Sequence, residues 1–177
     1  ASLRLDDVLV PTPAYSLEAG FCDGYLALLD AWCQQCLATS AASAVAQGSN
    51  QRLMLTLDGL PHQRSGLVSS LEQGLAEAGW IIRDLRRDGL KACFHALAGA
   101  EQVVTFDPLL AWLCQSDPPQ QQLLILGCQP PGLDVFQMIR RRKLQGHWLA
   151  LRPDQLDVPV EGAGVHDLLT SIESAFG

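Results

Sequence analysis

Along this chain, short unbroken apolar runs alternate with segments whose apolar positions recur at helical spacing. Residues 52–57 (RLMLTL), 80–82 (WII), 123–126 (LLIL) and 148–151 (WLAL) are too short for helices and read as strands. Between the last two lies a loop, Gly127 to Gly132, and a stretch from Leu133 with apolar residues at Phe136 and Ile139. Strand, loop, helix, strand is the crossover that a parallel pair requires. Residues 65–78 (SGLVSSLEQGLAEA) predict another helix, with Gly79 placed to cap its C-terminus. Asp107 and Pro108 have the N-cap and first-turn positions of a helix reaching about Cys114. Residues 162–176 predict a last helix, with Val165, Leu168, Leu169, Ile172 and Phe176 on its inner side.

Two regions break this rhythm. Residues 83–91 read as a polar turn, and 92–97 (ACFHAL) together with 103–106 as short β-like pieces of a hairpin or insertion. Ahead of the α/β pattern, 1–20 reads as an extended arm. Residues 17–46 read as a helix whose stripe of Phe21, Tyr25, Leu28, Leu29, Trp32, Cys36 and Leu37 must be covered, by the rest of the chain or by a second copy. The Gly48-Ser49-Asn50 linker sets the expected division at 1–50 and 51–177.

Composition narrows the function. With 177 residues, 48% hydrophobic and 18% charged, the chain reads as one folded domain with an appendage. No apolar run approaches the roughly 18 residues of a membrane span, and no basic start precedes an apolar block, so neither span nor signal peptide is expected. A net charge of −7 argues against nucleic acid as a partner. Basic residues cluster at 83–87 and at Arg140, Arg141, Arg142 and Lys143, which read as solvated helix ends or a docking face. Six cysteines in apolar contexts read as reduced, packed thiols, and so as a cytoplasmic protein.

Candidate chemistry is sparse. Cys33-Gln34-Gln35-Cys36 has metal or redox spacing, but no second Cys or His pair completes a zinc set, and its place inside a helical stripe favours core packing. The turn after residue 57 lacks the Lys and second Gly of a phosphate-binding loop. No nucleophile motif or paired carboxylates suggest a hydrolase. No metal, cofactor or enzymatic activity is therefore expected.

The Gly127-Cys128-Gln129-Pro130-Pro131-Gly132 loop and the Leu133-Asp134-Val135-Phe136-Gln137-Met138-Ile139-Arg140 helix that follows resemble the phosphoacceptor region of response-regulator receiver domains. The resemblance extends by element order over 52–176. It implies a flavodoxin-like, three-layer α/β/α sandwich with a mostly parallel sheet. In this comparison 123–126 is the third strand, and the phosphoacceptor Asp at its end is replaced by Gly127. Asp58 would be one of the magnesium-binding acids after the first strand. Arg152 would replace the Ser or Thr after the fourth strand, and Val158 the Lys before Pro159. The spacing from Arg152 to Val158 is short for a receiver's fourth helix and fifth strand, so either that unit is deleted or 156–160 is the fifth strand, reached by a short loop. The resemblance thus implies a pseudo-receiver of the two-component type, a signalling or scaffold module acting through protein contacts or as a homodimer, without phosphotransfer. The alternative is a binder of a small anion or nucleotide at the carboxyl ends of the strands, ringed by Asp58, Gly127, Cys128 and Arg152.

Overall fold

The computed structural model describes residues 15–16, 20–21, 27–28, 30–32, 35, 51–57, 66–114, 121–152 and 163–177. Short strands β1 (Tyr15–Ser16) and β2 (Gly20–Phe21) pair antiparallel. The α/β unit then runs β3 (Gln51–Thr56), α1 (Gly66–Glu77), β4 (Ile81–Asp84), α2 (Leu85–Ala98), β5 (Ala100–Thr105), a 3-10 helix (Pro108–Leu113), β6 (Gln122–Gly127), α3 (Leu133–Arg141), β7 (Gln145–Ala150) and α4 (Ala163–Phe176).

Five strands, β3 to β7, form one sheet in the order β4-β3-β5-β6-β7, and every neighbouring pair is parallel. This doubly wound order is consistent with a flavodoxin-like sandwich and is shared by many α/β proteins. Side-chain alternation along each strand feeds two cores. Met54, Val104, Leu124 and Leu126 meet Leu67, Leu71 and Leu75 of α1 and Leu168, Ile172 and Phe176 of α4. Leu53, Leu55, Val103, Leu123 and Ile125 meet Phe94 and Leu97 of α2, Leu110 of the 3-10 helix, and Val135, Met138 and Ile139 of α3. With both faces covered, the inner strands β3, β5 and β6 are apolar at consecutive positions, which is why they are legible as continuous runs, whereas the edge strand β7 is largely exposed.

Several expectations change. Residues 92–97 are helical, not β-like, and 83–91 is not a free turn. Asp84 ends β4 and caps α2, with its carboxylate accepting from the backbone N–H of Arg86 and Arg87. Gly89, at φ 79° and ψ 159°, breaks the first turn from the helix proper, so a polar turn and an apolar helix share one element. Residues 108–113 wind as a 3-10 helix. Residues 103–105 lie in β5, a central strand of the sheet rather than a hairpin arm. Counting in chain order, 123–126 therefore belongs to the fourth strand of the sheet, not the third, and β7 is the fifth. The described strands already make a five-stranded sheet, and the strand expected at 156–160 lies outside the described residues.

The N-terminal segment packs in part against this unit. Phe21 lies in β2 rather than in the expected helix, while 27–28, 30–32 and 35 are helical. Trp32 meets Phe94 edge to face at 5.6 Å, and Asp30 pairs with Arg142 at 2.7 Å. Of the described residues of its apolar stripe, Leu28 is 69% and Trp32 43% exposed, so these contacts cover little of it. Cys33 and Cys36 lie outside the described residues.

The amino-terminal ends of the strands are tied by side-chain amides. Gln102 donates to Gln122 at 3.1 Å and Gln122 to Gln145 at 3.4 Å, one step per strand. Buried Gln121 donates to the carbonyls of Leu97 and Ala100, joining the end of α2 to the start of β5. At the sheet's other flank Arg52 forms a two-pronged bond to Glu173 of α4, donates to the carbonyl of Ala78 and lies over Trp80.

Candidate functional site

Because all five strands are parallel, their carboxyl ends share one edge, where open α/β sheets hold ligands. The strand order reverses at β3, so the crevice of such a sheet lies beyond β3 and β5. Thr56 and Leu57 end the first of these, and Thr105, Phe106 and Asp107 the second. Thr56 Oγ1 donates to Asp84 Oδ2 at 3.3 Å, while Asp84 Oδ1 accepts from the amides of Arg86 and Arg87 at 2.9 and 2.8 Å. In return, the Asp84 amide donates to Asp88 Oδ2 at 3.0 Å. Arg87 bonds the Asp88 carboxylate and, with that backbone donor, holds it below the ordinary carboxylate range. These carboxylates are committed to starting α2.

Asp107 is 7% exposed. Its amide donates to Thr105 Oγ1, that hydroxyl returns a bond to the Asp107 carbonyl, and the same carbonyl accepts from the amide of Leu110. The residue thus turns the chain sharply from β5 into the 3-10 helix. One strand further out, Gly127 accepts a backbone bond from Leu151 at 2.9 Å. A Cβ on Gly127 would meet the carbonyl of Gln129 at 3.4 Å and Trp148 Nε1 at 3.9 Å, both ordinary contact distances, so a small side chain would fit there. Cys128 packs against the α1 and α4 core, in line with a packing role.

Of the expected ring, Gly127 ends β6 opposite Ala150 of β7, and Arg152, two residues beyond that strand, is exposed. Asp58 and Val158 lie outside the described residues, and so does any bridge from Arg152 to Asp58. β5 and β6 separate the strand that leads to Asp58 from the one that leads to Arg152.

The basic segment after α3 divides. Arg140, Arg141 and Lys143 are exposed, but Arg142 is 3% exposed and does not belong to the surface. Its guanidinium turns inward to the carbonyl of Cys114 and the carboxylate of Asp30. Lys143 makes this possible by adopting φ 56°, which reverses the chain between α3 and β7.

Beside this segment lies an apolar surface the sequence reading missed. Leu133, Phe136 and Trp148 are 69%, 44% and 36% exposed. Val135, Met138 and Ile139 define the buried side of α3, and Leu133 and Phe136 fall off it. Ile139 sits on Gly146 of β7: a Cβ there would meet Ile139 Cγ2 at 2.6 Å. From that contact, rises of about 1.5 Å per helical residue and about 3.3 Å per strand residue bring Trp148 level with the first turns of α3. Leu133 and Phe136 on α3 and Trp148 on the outermost strand are therefore exposed at similar heights along the sheet. Phe136 stands one turn before Ile139, so spacing alone places it on the buried face, and only the fold shows that Leu133 and Phe136 lie outward.

At the opposite edge a half-open cleft of about 300 Å³ is lined by Gln51, Arg52, Glu101 and Gln102, but the Arg52 guanidinium there is already taken up by Glu173 and Ala78. Among the described residues no group of three His, Cys, Asp or Glu side chains could hold a metal ion, and no helix is long and apolar enough to cross a membrane. No protein-family model matches the chain, and no curated protein or solved structure does.

Proposed function

We propose that the chain is a regulatory interaction module, working through protein contacts on a receiver-like frame and without phosphotransfer. The observation that carries this reading is the exposure of Leu133, Phe136 and Trp148 at similar heights along the sheet, with the exposed cations Arg140 and Lys143 in the same crossover. Large apolar side chains left exposed at the edge of a sheet, with charge near them, are the ordinary signature of a docking site.

The strand order changes how the receiver comparison is drawn. If β5 is the third strand of that frame, the residue compared with the phosphoacceptor is Asp107, not Gly127. If β7 is the fifth, the Lys-Pro position falls on Arg152-Pro153, not on Val158-Pro159. An acid and a base then stand at the compared positions, so the loss of chemistry can no longer be argued from Gly127. It rests instead on Asp107, whose backbone is tied to Thr105 and Leu110 and whose side chain is shielded from solvent. A phosphoryl acceptor must be reached by donor and metal alike.

The test is incubation with acetyl phosphate and magnesium, followed by peptide mass mapping and by beryllofluoride titration. The reading expects no phosphoryl increment on Asp107 and no change in spectrum or assembly. Modification of Asp107 would overturn it. A second reading, an anion held at the strand ends, is favoured by exposed Arg152 beyond the end of β7 and by Gly127 at the end of β6, where the missing side chain permits close approach. A clear thermal upshift with phosphate or nucleotides, abolished by Arg152→Gln, would select that reading instead.

A further inference from the structure

We draw no further inference here: the strongest candidate, the exposed outermost strand β7 with Leu133 and Phe136 of α3 exposed at a similar height, is a surface patch for which nothing in the structure shows what covers it.

Discussion

Removing Asp30 should destabilise the protein more than removing Arg142, although the two form one ion pair. The Arg142 side chain is 2% exposed and Asp30 41%, so the partners differ in what deletion leaves behind. Asp30→Ala strands a guanidinium with only the Cys114 carbonyl for company. An unpaired buried charge costs about 3–5 kcal/mol, reduced here to about 2–3 because water enters the space that Asp30 vacates. The cost has a ceiling. The N-terminal segment can instead undock and solvate Arg142, giving up the Trp32 and Phe94 contact, worth about 1 kcal/mol beyond its buried area. Arg142→Met removes charge and desolvation together, leaves Asp30 in water and deprives one carbonyl of a donor, for about 1 kcal/mol. The double variant should match Arg142→Met alone, because Asp30 acts only through the charge it neutralises. Urea unfolding followed by tryptophan fluorescence gives the three values, and amide exchange over 27–35 reports undocking. Arg142→Met costing as much as Asp30→Ala, or unchanged exchange over 27–35 in Asp30→Ala, would refute the reasoning.

Other expectations follow from close contacts, backbone angles and buried thiols. Gly146→Ala should lose about 1–3 kcal/mol, since its Cβ would fall 2.6 Å from Ile139 Cγ2 and 2.9 Å from Cδ1, and Ile139→Val should restore part of it in thermal melts. Gly89→Ala has open space around its Cβ but a φ of 79°, so its loss of about 1–2 kcal/mol is a backbone cost that no neighbouring substitution rescues. Burial pushes Cys93 up to about 11 and Cys114 to about 12, so alkylation at pH 8 mapped by mass spectrometry should label Cys128 before either. The same shifts bear on alkaline stability. The unfolded thiols ionise near 9.0 while the folded ones keep their protons, so the contribution is complete below that pH and is lost as pH rises through about 11 and 12. Cys93→Val should flatten the decline in urea midpoints across that window.

The sheet was legible because strands buried on both faces must be apolar at consecutive positions, as in Leu123, Leu124, Ile125 and Leu126. Helices α1, α3 and α4 followed from spacing, and the loop at Pro130 and Pro131 from its breakers. Helix α2 was hidden because Gly89 and the charges around it look like a turn, which leaves 92–97 as a short apolar fragment. Its face, Leu90, Cys93, Phe94 and Leu97, has helical spacing once the turn and helix are read as one element. That single omission shifted the strand count. Any comparison drawn by strand number shifts with it by one strand. The outward position of Phe136 was hidden for another reason: it has the composition of a core residue at helical spacing from Ile139, and only its exposure in the fold shows that it does not pack inward. Likewise Arg142 reads as one cation among four, and only the fold shows which of them turns inward.

The two-pronged bond from Arg52 to Glu173 joins residues 121 positions apart. Its consequence lies in the order of synthesis. β3 is the first strand of the sheet to leave the ribosome, and its neighbours β4 and β5 follow soon after, so the middle of the sheet can assemble early. The face carrying Met54, Val104 and Leu124 waits for α4, the last helix of the unit to be made. Until Glu173 emerges, α1 alone shields that face, and the nascent chain carries an open apolar seam that a chaperone would recognise. Ribosome-bound chains stopped before Ala163 should therefore be cut by protease at sites in α1 that are protected once Phe176 has emerged.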